Sequence, residues 1–307
     1  MGSFPELSKP VQVHNQESEK ANRMGYRLGT WQHIKQNRLA MASVIALLLL
    51  VILACFGPYL SGYRYDEQDL SMVNQAPSLT HWFGTDALGR DLFTRTWYGA
   101  RISLAIGLVT SFICLVVGVI YGGISGFIGG WVDEVMMRVV EVLYSIPFLL
   151  YCILLTILLG PGLKGIFIAL GAVYWLNLAR IVRGQVLILK EQEYVLAARL
   201  MGAGTFRILF RHILPNATGP ILVTMTLLIP EAIFAEAFLS FLGLGVSAPM
   251  ASWGVLASEG LEGVRNYPWQ LFFPSFFICL TILAFNFTGE GLRDALDPRS
   301  GNKRRVS

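Results

Sequence analysis

The chain has 307 residues, of which 54% are hydrophobic and 14% charged. Soluble domains carry about 25% charged residues, so the composition excludes a disordered chain and argues against a soluble enzyme, and the surplus apolar surface must face lipid. The net charge of +4 is too small to point to nucleic acid, and the four cysteines (Cys55, Cys114, Cys152, Cys279) sit inside apolar runs without metal or disulfide spacing, as small buried hydrophobes do.

The first 30 or so residues are polar, with Pro5, Pro10 and no sustained period. They read as a disordered start that becomes an interfacial helix near Leu28–Arg38. A bilayer crossing needs about 20 mostly apolar residues. Charge-free stretches of that length predict six spans: Leu39–Leu60, Ile102–Phe127, Val139–Leu159, Ile166–Leu187, Ala217–Leu242 and Leu271–Gly289. Gly107, Gly118, Gly122, Gly123 and Gly126 in the second span let helices pack closely in lipid. Arg180 and Arg183 in the fourth span fit a helix end from which long side chains reach the interface. The segment Gly243–Pro249 reads as a loop or re-entrant stretch.

Basic residues divide unequally between alternate sides, eighteen against six. The richer side holds both termini and the fourth connection, and the positive-inside rule places it in the cytoplasm. The resulting organisation is 1–38 as a cytoplasmic segment, 39–61 as the first span and 62–101 as an extracytoplasmic loop. Residues 102–291 form the core, with the loop 190–216 inside it, and 292–307 form a cytoplasmic tail.

The fourth connection is more than a tether. Glu191–Met201 contains strong helix formers, with acids first and a base near the end. Gly202 and Gly204 stop it, Thr205 can cap a second helix over Phe206–Ile213, and Pro215 breaks that one. Ala197, Ala198 and Gly202 have little bulk, so a partner surface could approach the backbone closely.

Several ionisable residues invite functional readings. Glu231 and Glu236 lie within an apolar span, about 140° apart around a helix. They either line a pathway, tie helices together, or are structural. Arg180 and Arg183, three apart, could anchor the inner end or pair with carboxylates near a gate. Asp86, Arg90 and Asp91 in the outer loop read as a capping or solvated surface before an acid–base pair. His33, His81 and His212 have no metal partner in sequence, and no metal or catalytic site is assigned. No Walker loop, nucleophile elbow or HExxH motif occurs, so this chain is not expected to hydrolyse ATP itself, and any such energy must come from a separate subunit.

The run Tyr194-Val195-Leu196-Ala197-Ala198-Arg199-Leu200-Met201-Gly202-Ala203, followed by Arg211-His212-Ile213-Leu214-Pro215-Asn216, resembles the EAA loop of ABC importer permeases. His81-Trp82-Phe83-Gly84-Thr85-Asp86-Ala87-Leu88-Gly89-Arg90-Asp91 is similar to the outer loop of oligopeptide and dipeptide permeases of the OppC/DppC type. So are Ala179–Gly184, Leu239–Gly245, Ser252-Trp253-Gly254 and Gly291–Pro298, which together extend over nearly all of Trp31–Pro298 in the family's order. The family's usual Glu of the EAA triplet falls at Leu196.

The resemblance implies an all-α, six-span type I ABC importer permease with a cytoplasmic two-helix coupling loop. In that reading Glu193, Tyr194, Ala197, Ala198, Arg199, Gly202, Arg207, Ile213, Leu214 and Pro215 belong to the ATPase-coupling loop. Glu231, Glu236, Arg180 and Arg183 are pathway or gate candidates, and Asp86, Arg90 and Asp91 make receptor or folding contacts. The implied partners are a second related permease (OppB/DppB-like), two ABC ATPases (OppD/OppF-like) that bind ATP and Mg, an extracytoplasmic substrate-binding protein, and membrane lipid. No cofactor is implied in this chain. Peptides are the expected cargo, with nickel complexes, glutathione or haem as alternatives. A proton-coupled carrier using Glu231 and Glu236, or a membrane enzyme using outer-loop carboxylates, are the readings from other classes.

Overall fold

The computed structural model describes residues 37–160 and 162–296. The expected interfacial helix near Leu28–Arg38 and the end of the tail lie outside the described residues. Among the described residues the chain is helical, apart from an isolated antiparallel bridge between Thr85 and Asp91. Among these, five helices are long and apolar enough to cross a membrane, or six if a bent pair is counted as one span.

Helix α1 (Arg38–Phe56) starts where the Asn37 side chain accepts from the amides of Leu39 and Ala40, and it passes into a 3-10 turn at Gly57–Tyr59. It buries a narrow stripe, Ala40, Ser43, Leu50 and Ala54, and turns Leu48, Leu49, Val51 and Ile52 outward. One narrow buried stripe with apolar residues all round marks a helix at the bundle's lipid edge.

Helix α2 (Leu92–Ile128) has 37 residues, about 55 Å at about 1.5 Å per residue, well beyond the hydrocarbon thickness of about 30 Å. It begins ten residues before the expected span because Arg95 and Arg101 do not end it. Arg95 pairs with Asp86 and Glu259, and Arg101 donates to the carbonyls of Ala54 (2.6 Å) and Cys55 (2.7 Å).

The expected third span, Val139–Leu159, is two helices rather than one: α3 (Gly130–Ser145) and α4 (Phe148–Leu159), at 86° to each other. Pro147 has no amide hydrogen and drives Ile146 to extended backbone (ψ 128°), so the helix cannot run through. Helix α5 (Leu163–Leu189) then packs along α2. A Cβ on Gly118 would lie 3.0 Å from Leu178 Cβ, on Gly122 it would collide with the Ala179 carbonyl oxygen, and on Gly126 it would lie 2.9 Å from the Arg183 carbonyl oxygen. Spaced four apart, these glycines form one seam that brings two backbones together. We expect Gly122→Leu to force α2 from α5 and to cost about 1–3 kcal/mol or more. The fraction of detergent-solubilised chain surviving a heating series measures this, and an unchanged midpoint contradicts the seam.

Helices α6 (Glu193–Leu200) and α7 (Thr205–Ile208) follow, then a π turn at Leu209–Ile213, a 3-10 turn at Leu214–Asn216, and α8 (Thr218–Phe241). A helix absent from the sequence reading, α9 (Trp253–Glu262), comes next, capped by Ser252, whose hydroxyl accepts from the Val255 amide at 3.1 Å. Its Trp253 is buried and donates to the Thr96 carbonyl at 2.9 Å. Helix α10 (Pro268–Leu296) closes the bundle against α1, α8 and α9. Its Thr288 meets Ser43 at 3.0 Å, and Gly291 lets Ala40 approach.

Of the cysteines, Cys114 and Cys152 are buried as expected, whereas Cys55 and Cys279 face outward from the bundle. An outward position inside an apolar helix suits a thiol facing lipid as well as one in a core.

Candidate functional site

Two regions, at opposite ends of the bundle, collect the residues singled out in the sequence. The first is the α6–α7 knob. Helix α6 ends in a Schellman arrangement: the Gly202 amide donates to Arg199 (2.9 Å) and the Ala203 amide to Ala198 (3.0 Å). This puts Gly202 at φ +78°, with open space around it. The left-handed backbone by itself calls for glycine at this position. Gly204, not Thr205, is the cap of α7, and Thr205 is its first helical residue without a side-chain cap bond. Pro215 does not stop the chain's winding, because it sits in a 3-10 turn that leads into α8.

The knob has an inner and an outer face. Val195, Ala198, Ile208, Leu209 and Ile213 pack against Val182 and Val186 of α5 and Ala217 and Ile221 of α8. Ala198 is thus small because it fits between helices, and it offers no surface to a partner. The outer face carries Tyr194, Leu196, Leu200, Met201, Phe206 and Phe210, with Leu200 90%, Met201 82% and Phe206 72% exposed. Ala197, Glu193, Arg199, Arg207 and Pro215 are also exposed, and Leu214 is half-buried. Arg199 lies 5.7 Å over the Phe127 ring, at the end of α2. An apolar patch of this kind, held on a firm base, is what a partner surface requires.

The ends of α2, α3 and α5 meet just behind the knob. Asp133 of α3 takes both nitrogens of Arg183 at 2.5 and 2.6 Å and the Ser125 hydroxyl at 2.5 Å. Lys190 donates to the Gly126 carbonyl at 3.1 Å. Asp133 was not singled out in the sequence. The signal available was a carboxylate directly after the Gly129-Gly130 turn, at a helix start where acids are favoured. Arg180, three residues from Arg183, takes a different direction and lies 4.3 Å over the Tyr144 ring.

The second region is the connection between α1 and α2. Asp91 caps α2, accepting from the Thr94 amide (2.8 Å) and hydroxyl (2.7 Å) and meeting His81 Nδ1 at 2.9 Å. Asp86 is 5% exposed and accepts from Arg90 Nε (2.7 Å), from the amides of Leu88 (2.8 Å) and Arg90 (3.0 Å), and from Arg95. Glu259 on α9 adds a second carboxylate to Arg95 at 2.8 Å. Asp69 starts a 3-10 turn, and hydrogen bonds from the Ser71 hydroxyl and amide hold its carboxyl below the ordinary range. Gly89 (φ +71°) lies against the Asp69 backbone, where no Cβ would fit. Gln270 of α10 donates to Asn74 (2.8 Å) and to the Thr85 carbonyl (2.9 Å). Asp86, Arg90 and Asp91 are therefore bonded into a folded cap, and a solvated pair of acids does not describe them. Glu259, also absent from the sequence reading, sits in a short helix whose charge partner is 164 residues away. No group of His, Cys, Asp and Glu suited to a metal occurs among the described residues.

The two intramembrane glutamates separate. Glu236 is fully buried, and its Oε1 accepts from the hydroxyls of Ser240 (2.6 Å) and Ser252 (2.5 Å), which ties α8 to the start of α9. Glu231 is on the open side of α8, where its backbone carbonyl accepts from the Tyr174 hydroxyl at 3.3 Å, and among the described residues its carboxylate has no hydrogen bond or ion pair. The pair does not form a relay.

Comparison with known proteins gives these features a family. Residues 118–302 match the model of the binding-protein-dependent transport system inner membrane component. Residues 27–77 match the N-terminal TM domain of oligopeptide transport permease C. The chain is 54% identical over 291 residues to the dipeptide transport system permease protein DppC of Bacillus subtilis strain 168, covering 94% of this chain and 91% of that protein. It is 52% identical over 297 residues to the oligopeptide transport system permease protein OppC of the same strain, covering 95% and 97%. The glutathione transport system permease protein GsiD of Pectobacterium atrosepticum is 39% identical over 270 residues, covering 88% and 90%. With a family model matching more than half its length and relatives similar from end to end, the chain belongs to the inner membrane components of binding-protein-dependent transport systems.

Proposed function

We propose that this chain is the permease subunit of an ABC importer that moves oligopeptides or dipeptides across the cytoplasmic membrane. The observation that carries the reading is the apolar outer face of the α6–α7 knob, seated on α5 and α8 in a chain whose relatives at 54% and 52% identity are named as peptide permeases. The glutathione permease is more distant at 39%, so peptides are preferred over glutathione, nickel complexes or haem as cargo. Both termini and the knob are cytoplasmic, as the eighteen-to-six division of basic residues supports, and the Asp86–Arg95 cap faces outward.

A second, related permease encloses the pathway with this one. Of the two ATPases, which bind ATP and Mg, one docks on the knob of this chain, and an extracytoplasmic binding protein delivers the solute. This chain supplies no ATPase chemistry and holds no cofactor. Its residues Glu193, Tyr194, Ala197, Arg199, Gly202, Arg207 and Pro215 form or support the docking face. Ala198, Ile213 and Leu214 hold that face to the spans. Closing the ATPases moves the knob, and because its inner face is packed on α5 and α8, these helices must follow. The free energy for the inward and outward states comes from their differential binding of nucleotide and loaded receptor.

The complete complex in proteoliposomes tests the reading. Uptake of a labelled tripeptide requires the receptor on one side and ATP on the knob side. Uptake driven by a pH gradient without nucleotide overturns it. The orientation has its own check: a membrane-impermeant maleimide should reach Met201→Cys only from inside and Leu79→Cys only from outside in intact cells.

A further inference from the structure

The open side of the bundle carries two charges without a partner. Among the described residues, neither the Glu231 carboxylate nor the Arg180 guanidinium has a hydrogen bond or an ion pair, although Arg180 stacks on Tyr144 at 4.3 Å. Ionisable side chains at membrane depth face a water-filled cavity or a partner charge, because lipid cannot solvate them. Both residues project from the side of the bundle that also presents Asn177, exposed between Tyr174 and Arg180 on α5. The Tyr174 hydroxyl touches the Glu231 backbone, and its ring lies 5.1 Å from Phe148. One polar strip therefore runs from Glu231 past Tyr174 and Asn177 to Arg180 and Tyr144.

A second observation points the same way. Tyr144 and Phe148 flank the break between α3 and α4, where Ser145, Ile146 and Pro147 are exposed. Helix ends leave carbonyls and amides unpaired within the helix. Non-helical backbone at membrane depth is tolerated only where protein buries it or water reaches it. The broken backbone and the two unpaired charges share one side, so that side lines a hydrated path.

We propose that this strip is a transit site for a dipolar solute, with Glu231 receiving a peptide's ammonium terminus and Arg180 its carboxylate terminus. The spacing suits such a ligand. Tyr174, beside Glu231, and Arg180 are six residues apart on α5, about 9 Å of helix rise. Peptide backbone extends about 3.3 Å per residue, so about three residues match that rise. Guanidinium and carboxylate make charge-assisted bonds in this setting, and Tyr144 behind the guanidinium fixes its plane. The proposal rests on the peptide-importer reading given above.

The test uses the whole complex in proteoliposomes with saturating loaded receptor, and compares a free tripeptide with its C-terminal amide. Arg180→Gln should lower uptake of the free tripeptide about tenfold and leave the amide near its wild-type rate. Arg180→Lys should restore most of the difference. Glu231→Gln should act likewise on the free tripeptide against its N-acetyl form. Receptor-stimulated ATP hydrolysis and recovery of the assembled complex should stay as in the wild type. Equal losses for free and capped peptides in each variant overturn the proposal, as does loss of assembly, which would give the strip to the subunit interface. If the wild-type complex imports no peptide at all, the peptide-importer reading fails first, so the two failures are distinguishable.

Discussion

A complex carrying Phe206→Arg assembles and binds its loaded receptor, but receptor stimulation of ATP hydrolysis falls at least about tenfold. The reason is the division of the knob into two faces. Phe206 is 72% exposed and stands beside Phe210 with the rings nearly parallel, so it contributes to the outer apolar patch. The residues that hold the knob, Ile208, Leu209 and Ile213, are buried and untouched by the change. A cation introduced there must be desolvated against an apolar partner, which loosens the contact that transmits the motion while the rest of the assembly holds. Chain stability measured in detergent should be within about 0.5 kcal/mol of wild type. Ala198→Glu gives the opposite pattern, because it puts a carboxylate between packed helices and depletes folded protein before coupling can be read. Normal stimulation in the Phe206→Arg complex contradicts the assignment of the docking face. Leu196 lies on the same outer face, beside the exposed Leu200 and Met201, and adds to its apolar surface.

The second large effect concerns the cap at the opposite end. Asp86→Leu should destabilise the chain by about 3–5 kcal/mol, the range for removing one member of a buried ion pair. Asp86 accepts bonds from two arginines and two amides, and Arg95, 2% exposed, is left with Glu259 alone. Its Nε is already without a partner among the described residues, so it has no reserve bonding to draw on. Adding Arg95→Met should recover part of the loss, because one stranded cation is then replaced by apolar volume. Thermal unfolding of the purified chain reads both. A single-variant loss below about 1 kcal/mol, the level of a surface pair, removes the buried network as the anchor of this cap.

The spans were legible because lipid imposes a rule that local sequence must obey: about 20 residues with no charge. The same rule misplaced the start of α2. Arg95 and Arg101 look like a membrane boundary in one dimension, yet Arg95 is paired with the carboxylates of Asp86 and Glu259, and Arg101 is bonded to the carbonyls of Ala54 and Cys55. The bend at Pro147 was written in the sequence but lay within a run apolar enough to hide it. Helix α9 was missed because it is short, contains Gly254 and Gly260, and is held by Trp253 reaching Thr96 and Ser103 on another helix. In the coupling loop the helices were readable from composition, but their facing was not. Eight residues of α6 carry too little pattern to tell that Ala198 points inward and Ala197 outward. For the two glutamates, their separation around the helix already implied different surroundings, and the structure supplies which one is sealed by Ser240 and Ser252.

The contact between α1 and α10 has a consequence for how the protein is made. Ser43 meets Thr288 across 245 residues of sequence, and Ala40 fits only because position 291 is glycine. Helix α1 therefore finds this partner only when α10 has been synthesised. Until then Leu50 and Ala54 already pack on α2, but Ala40 and Ser43 have no seat, and the bundle is open along that edge. A polypeptide truncated before α10 keeps that edge open permanently, which gives membrane quality control a physical mark by which to separate unfinished chains from complete ones.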